Sequence, residues 1–301
     1  MATEPTEPTE PTEPTGPTEP TEPAGHTGTH GPAGATGTAV AEAVAAPPAP
    51  APGAVPVLAL ENLTWSVGGA LIVDDVTMAV DEGEFVALIG PNGAGKTSLF
   101  NLVSGLTRPT GGRVRLAGTD VTRHAPHRRA RLGMGRTFQT SSVFGDLTVG
   151  ANVGLAVQAR TGESRRFWRP ATPDGGPEAT AALDLVRLSH RADALAGDLS
   201  HGDKRKLELA LLLARRPRLI LLDEPMAGVS AGEVGELTTV IRHVHREQGC
   251  TVLMVEHHME VLLDMADRLA VMHHGALLAL TDPDSAMADP AVQAAYLGDG
   301  A

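Results

Sequence analysis

The octapeptide GPNGAGKT at residues 90–97 constrains the fold of this chain more than any other segment. It matches the pattern G-x-x-x-x-G-K-[ST] and stands between an apolar strand pattern, EFVALIG, and a helix pattern, KTSLFNLVSGL. Glycines in such a loop let main-chain N–H groups surround a phosphate, Lys96 adds positive charge, and the Thr97 hydroxyl can bind Mg²⁺. The motif and its context therefore predict a nucleotide phosphate site in an α/β domain.

Strand and helix patterns alternate from residue 57 onward. Runs with strand character are VLALENLTWSV, IVDDVTMAVDEGE, GRVRLAGTDV, LILLD and CTVLMVEH. Helix patterns occupy residues 96–106, most of 140–196, 233–249 and 258–270. This alternation predicts an α/β fold in which helices cover both faces of a mostly parallel sheet.

Residues 1–56 differ in composition from the rest of the chain. They begin with Thr-Glu-Pro repeats and contain 13 of the 23 prolines, seven glutamates and no Lys, Arg or aromatic residue. Such a segment buries too little apolar surface to offset its ordering entropy, so we expect a disordered tail. Without those glutamates, 29 acidic residues face 24 basic ones, a net charge of about −5 rather than −12. This balance argues against a nucleic-acid partner.

The chain has no sequence signal for crossing a membrane or for secretion. No uninterrupted apolar run approaches the roughly 18 residues that span a bilayer, and residues 1–56 lack the basic start of a signal peptide. The single Cys250 cannot form an internal disulfide and fits a reducing compartment. A cytoplasmic protein that docks on a membrane protein fits these features.

Two acidic residues directly follow the apolar run of LILLDEP. Asp223 should emerge at the carboxyl end of a buried strand, where open α/β sheets bind their ligands, and Glu224 follows it. Asp223 suits the Mg²⁺ shell through water, and Glu224 suits the base that orients and deprotonates an attacking water. A lone Asp-Glu pair would more simply be a solvated strand end, but the phosphate loop favours the catalytic interpretation.

Two further polar residues suit the same site. Gln139, in GRTFQT, follows a short strand-like segment and can reach Mg²⁺ and the attacking water. His257 closes the strand pattern TVLMVEH and could meet the γ-phosphate. Either residue alone would more often be a surface or capping residue, and only their order along the chain favours the site.

The segment LSHGDKRKLELALLLARRP, residues 199–217, places a polar loop before a basic, Leu-rich helix. Free N–H groups and the helix dipole make such an N-terminus a place to hold an anion. The simpler alternative is that Ser200 caps an ordinary amphipathic helix.

The ordered series of a phosphate loop, RTFQ, LSHGD, LILLDEP and VEHH resembles the nucleotide-binding subunits of ATP-binding cassette transporters. The resemblance covers essentially residues 57–301. It implies a RecA-like P-loop NTPase core, an antiparallel β subdomain and an inserted helical subdomain at about 140–199. It also implies an ATPase that uses ATP and Mg²⁺, lies on the inner face of the cell membrane, and closes on ATP with a second ATPase subunit, related or identical, in a head-to-tail dimer.

The resemblance assigns roles to individual residues. Glu224 would be the base, His257 the switch and Gln139 a sensor that also approaches the metal. Thr97 and Asp223 would serve Mg²⁺, while Ser200 and Gly202 would contact an ATP bound to the other subunit. The loop residues that would bind nucleotide are Gly90, Pro91, Asn92, Gly93, Ala94, Gly95, Lys96, Thr97 and Ser98.

Within that superfamily, IGPNGAGKTSLFNLVSGLTRPTGGRV, GRTFQTSSVFGDLTVGANV and the C-terminal ADPAVQAAYLG are similar to the ATPases of branched-chain amino acid importers. Such a subunit would work with integral-membrane permeases and, indirectly, a substrate-binding protein. Urea or amide importer ATPases share much of this pattern. Lipopolysaccharide-export ATPases end in a similar YLG segment but usually lack RTFQ, and a soluble, non-transport cassette ATPase is the alternative from another class.

The sequence departs from the family pattern at several positions. Val67 stands where an adenine-stacking aromatic is usual, and Trp65 lies two residues earlier, on the same face if the segment is a regular strand. In the family, the Leu-Ser-x-Gly segment that opens a helix is called the signature loop, here residues 199–203. His201 and Asp203 replace its usual Gly and Gln. Ser230 stands where many cassettes have Asp, so its contacts across a dimer stay open.

Overall fold

The computed structural model describes residues 55–137, 143–161 and 176–297, all within one unit of the chain, Ala49–Ala301. Residues 1–54 of the predicted tail and the predicted site residue Gln139 lie outside the described ranges. The boundaries of the tail and of the helical subdomain therefore remain predictions.

The described residues form ten β-strands. They are β1 Leu58–Val67, β2 Ala70–Val80, β3 Phe85–Ile89, β4 Gly111–Leu116, β5 Thr119–Asp120, β6 Met134–Arg136, β7 Leu219–Asp223, β8 Thr251–Val255, β9 Arg268–His273 and β10 Ala276–Thr281. The α-helices of the same ranges are α1 Lys96–Ser104, α2 Pro126–Arg131, α3 Val149–Thr161, α4 Gly176–Leu185, α5 His201–Leu213, α6 Ala231–Gln248, α7 Met259–Met265, α8 Pro283–Ala288 and α9 Pro290–Leu297.

A six-stranded sheet forms the centre of the fold, with strand order β10-β9-β3-β8-β7-β6. All neighbouring pairs are parallel except β10 with β9. Every residue of β3, β7 and β8 is buried, as expected of parallel strands covered on both faces. The predicted α/β class with a mostly parallel sheet is confirmed.

A second sheet of four antiparallel strands, in the order β2-β1-β4-β5, packs on α1 and one face of the central sheet. Alternate residues of β3 reach opposite layers, because successive side chains of a strand point to opposite faces. Val86 and Leu88 join the core shared with the antiparallel sheet. Phe85 and Ala87 join the core formed with helices α3 to α7. The central sheet thus separates two apolar cores, and the loops that follow its parallel strands lie at their carboxyl ends.

The helix predicted over residues 258–270 is too long. Helix α7 ends at Met265, Ala266 has an extended conformation, and β9 begins at Arg268. The run RLAV pairs in parallel with β3 and is almost wholly buried. Because short apolar runs fit a buried strand as well as a helix, periodicity could not separate the two.

Helices α3 and α4 lie within the segment predicted to be helical, as do 3₁₀ turns at Ser189–Arg191 and Ala196–Asp198. None of the helices in the described ranges is both long and apolar enough to cross a membrane.

Candidate functional site

The glycine-rich loop connects the end of β3 to the start of α1, the context that the motif requires. A Cβ atom on Gly90 would lie 2.2 Å from the carbonyl oxygen of Met272, and one on Gly95 would lie 2.7 Å from that of Ile72. Both glycines also have positive φ angles, 150° and 97°. The loop therefore fits between β2 and β9 only because these two positions lack side chains.

Lys96 is the first residue of α1 and is 7% exposed. Its ammonium group donates hydrogen bonds to the carbonyl oxygens of Gly90, at 2.6 Å, and Pro91, at 2.9 Å. Burial lowers the pKa of Lys96, and the nearby Glu224 carboxylate partly offsets this effect. The lysine thus places its charge inside the curve of the loop, where a phosphate would lie.

A pocket of about 270 Å³ opens beside this loop. Ile72, residues 92–98, Glu224 and His257 line it. The structure therefore brings together most of the predicted phosphate-binding residues with the predicted base and switch. Trp65 is not among the described residues that line this pocket; it packs partly buried against the core of the antiparallel sheet. Register irregularities on both sides of Trp65 break the regular alternation that would relate it to Val67.

Asp223 is the last residue of β7, as predicted, and its side chain is only 1% exposed. One carboxylate oxygen, Oδ2, accepts a hydrogen bond from the Arg136 guanidinium at 2.7 Å. The other oxygen, Oδ1, is buried and has no hydrogen-bond partner among the residues that the structure describes. A buried carboxylate oxygen without a donor is suited to a water or cation, so Asp223 fits a role in Mg²⁺ binding.

Arg136 was not predicted as a site residue. It ends β6, and besides Asp223 it donates to the Phe100 carbonyl, to Asn101 Oδ1 at 2.9 Å and to Ser104 Oγ at 2.6 Å. It thereby joins α1 to the carboxylate at the end of β7. The sequence signal for Arg136 was its position in GRTFQ, three residues before Gln139. The sequence did not indicate its partner, because Asp223 lies 87 residues further along the chain.

Glu224 follows β7 in a left-handed conformation, with φ of 47°, which is uncommon for a residue with a side chain. Its N–H donates to the Val255 carbonyl at 2.9 Å, which fixes the loop against the neighbouring strand β8. Its Oε1 atom lies 3.0 Å from His257 Nε2. The predicted base and switch are therefore direct partners, and both face the phosphate loop.

Glu256 is a second residue that sequence reasoning missed. It is 4% exposed and accepts hydrogen bonds from the N–H groups of Met226, at 2.8 Å, and His257, at 2.7 Å. Its Oε2 also lies 3.0 Å from His258 Nδ1. One buried carboxylate thus fixes the loop after Glu224 and the segment that presents His257. An acidic residue inside VEHH was the only sequence signal for it.

Ser200 is the N-cap of α5, and its Oγ accepts a hydrogen bond from the Asp203 N–H at 3.1 Å. The same hydroxyl donates to Glu233 Oε1 at 2.6 Å. Ser230, the N-cap residue of α6, donates its hydroxyl to the other oxygen of Glu233, also at 2.6 Å. Glu233 was missed too, although the spacing S-x-x-E from Ser230 is that of a capping box.

Ser200 and Gly202 do not line the phosphate pocket in the described part of the chain. Ser200 does act as the helix cap that the simpler interpretation of the sequence predicted. Its position away from the cis phosphate loop is compatible with a contact to another subunit's nucleotide, which stays a prediction.

Comparisons with known proteins agree with this site. The family model described as ABC transporter matches residues 73–227. The branched-chain amino acid transport ATP-binding protein BraF of Pseudomonas aeruginosa is 38% identical, and the alignment covers 81% of this chain and 98% of BraF. The corresponding protein LivG of Escherichia coli is 34% identical with the same coverage. The lipopolysaccharide export protein LptB of Haemophilus influenzae is 35% identical, again with 81% and 98% covered.

Solved structures give the same result for the fold. The ATP-binding cassette MJ1267 in its ADP conformation aligns with a TM-score of 0.69 and 29% identity, covering 81% of this chain and 99% of that one. The similarity therefore extends over nearly the whole of each known protein.

Proposed function

This chain belongs to the ATP-binding cassette transporter family, whose nucleotide-binding domain hydrolyses ATP, and from that premise we propose that it powers an importer of branched-chain amino acids. The observation that carries the catalytic part is the single pocket lined by the phosphate loop, Glu224 and His257. The similarity to BraF and LivG over nearly their whole length supports the substrate class.

The side chains suggest how the reaction proceeds. Main-chain N–H groups of residues 92–98 and the Lys96 ammonium would bind the phosphates, and Glu224 would orient a water and accept its proton. His257 would hold Glu224 in place and contact the γ-phosphate. Catalysis would come mainly from positioning and charge stabilisation.

Mg²⁺ would be held by the Thr97 hydroxyl, by Asp223 through its Oδ1 side, and by Gln139. When bound, the ion would neutralise phosphate charge as a Lewis acid. Ser200 and Gly202 would contact the γ-phosphate of an ATP on a second ATPase subunit. In this proposal, that subunit is a related chain rather than a second copy of this one.

The proposed importer is tested by uptake of labelled solutes in a strain that lacks this chain. We expect leucine uptake to fall and to return when the wild-type gene, but not one carrying Lys96→Ala, is restored. Loss of urea uptake with normal leucine uptake would favour the urea importer instead. Normal uptake of both, with altered lipopolysaccharide transport, would favour the export function suggested by the similarity to LptB.

A groove beside the phosphate site suits the permease partner. It measures about 330 Å³ and is lined mainly by apolar side chains of α3 and α5 together with Phe144 and Arg136. Phe144 is 61% exposed, yet its N–H and carbonyl groups bond to the Asn152 side chain at 2.8 and 3.0 Å. An exposed aromatic held this firmly is suited to bind a cytoplasmic helix of an integral-membrane permease. This would place the chain peripherally on the inner face of the membrane.

Replacing Leu155, a groove residue that is 41% exposed, by Asp should weaken permease binding. The aspartate would be buried without a partner in an apolar contact, which costs about 1–3 kcal/mol or more for a charged group, so the affinity for the permease should fall about tenfold or more, and less permease should be recovered with a tagged chain. Leu278→Asp is the matched control, because Leu278 is 40% exposed and lies on β10, outside the groove. Binding of ATP should be normal in both variants. Equal permease recovery with both variants would contradict docking in the groove.

A further inference from the structure

The Glu233 carboxylate connects the N-terminal ends of helices α5 and α6. Glu233 accepts a hydrogen bond from Ser200 with one oxygen and from Ser230 with the other, both at 2.6 Å. Ser200 opens α5, and Ser230 opens α6 after the loop that contains Glu224. We propose that Glu233 is a positioning residue that competes with the partner subunit's ATP for the Ser200 hydroxyl, and so sets the ATP concentration at which the two subunits close.

The competition follows from the hydrogen-bonding capacity of a serine. A hydroxyl carries one hydrogen, and that of Ser200 is donated to Glu233 Oε1. One lone pair of its oxygen is already used by the Asp203 N–H. To donate to a phosphate oxygen, Ser200 must therefore release Glu233. The inference rests on the proposed function, in which Ser200 contacts a γ-phosphate in trans.

The negative charge of Glu233 also opposes closure of the two subunits. The hydrogen bonds from Ser200 and Ser230 lower the pKa of Glu233, so this carboxylate is ionised at neutral pH. A negative carboxylate within hydrogen-bond reach of Ser200 repels a γ-phosphate that approaches the same hydroxyl. Both the lost hydrogen bond and the repulsion oppose closure, so neutralising Glu233 should favour it.

The surrounding contacts allow Ser200 to be released without leaving the Glu233 carboxylate unpaired. Glu233 keeps the Ser230 hydroxyl when Ser200 turns away, because that bond uses its other oxygen. Gly202 leaves room for the Glu233 carboxylate, because a Cβ atom at position 202 would lie 2.8 Å from Glu233 Oε1. A side chain at position 202 would therefore displace the Glu233 carboxylate from its present position beside Ser200.

The test uses the tagged chain purified with the subunits that accompany it. Glu233→Gln should lower the ATP concentration for half-maximal hydrolysis about tenfold, because its amide oxygen accepts a weaker hydrogen bond from Ser200 and carries no charge to repel a phosphate. It should also lower kcat because the closed state reopens more slowly. Glu236→Gln is the matched control, since it removes the same charge one turn further along α6, where Glu236 pairs with Lys206. It should change either value less than twofold.

A Ser200→Ala background separates the inference from the proposed function. If Ser200→Ala strongly weakens the ATP response and Glu233→Gln lowers KM by a clearly smaller factor in that background, where only charge repulsion remains, the competition is supported. If Ser200→Ala acts but Glu233→Gln alone leaves KM unchanged or raises it, Glu233 does not compete and the trans role stands. If Ser200→Ala changes neither KM nor kcat, the proposed trans contact fails and the inference fails with it.

A second variant keeps the test open if Glu233→Gln does not fold. Glu233→Asp retains the charge and can still cap α6, but it is one methylene shorter and should lose Ser200 before Ser230. KM should then fall by a smaller factor than with Gln. An unchanged or higher KM in a folded Glu233→Asp variant would overturn the proposal.

Discussion

Glu224→Gln is expected to retain ATP binding and to lose most ATP turnover. Glutamine keeps the size of the side chain and can still bond to His257, but it cannot accept a proton from water. A positioned general base accelerates a reaction about 10²- to 10⁴-fold, so kcat should decrease by a factor in that range. Hydrolysis is measured as released phosphate, and binding as the affinity for a fluorescent ATP analogue.

Glu260→Gln is the control for this substitution. Glu260 is an exposed glutamate in the first turn of α7, three residues after His257, and it does not line the pocket in the described ranges. Its replacement should leave both turnover and binding within twofold of wild type. Hydrolysis close to normal in the Glu224→Gln chain would remove Glu224 from the role of base.

The sequence allows the parts of the site that are contiguous motifs to be predicted. The phosphate loop directly follows β3, Asp223 is the last residue of β7, and Glu224 comes next, so the motif and the strand ends fix their place. Parallel strands end at one edge of the sheet, and this edge brings His257 to within 3.0 Å of Glu224 although 33 residues separate them.

The residues that hold the site together could not be predicted in this way. Arg136 bonds to Asp223, Glu256 to Met226, and Glu233 to Ser200, each across 30 residues or more. Long polar side chains can form hydrogen bonds with many partners, and a single sequence does not show which of these partners the fold brings close. The end of α7 was misjudged for a related reason, since only pairing with β3 shows that residues 268–270 are strand.

Arg136→Leu is expected to destabilise the folded chain more than any other single change considered. The Arg136 and Asp223 side chains are 10% and 1% exposed, so the ion pair is almost fully buried. Removing one partner of a buried pair leaves an uncompensated charge and costs about 3–5 kcal/mol. The free energy of unfolding, measured by urea denaturation of the full chain in EDTA, should fall by that amount. Arg128→Leu, on the exposed surface of α2, should change it by about 0.5 kcal/mol or less.

A double variant separates the two ways in which Arg136 stabilises the fold. Asp223→Asn removes the buried charge, so Arg136→Leu combined with Asp223→Asn should recover the part of the loss that comes from an unpaired carboxylate. The part that remains reports the hydrogen bonds of Arg136 to Asn101 and Ser104, which join β6 to α1. If the double variant is no more stable than Arg136→Leu alone, Asp223 is not held as a buried charge, and the main contribution of Arg136 is to join β6 to α1.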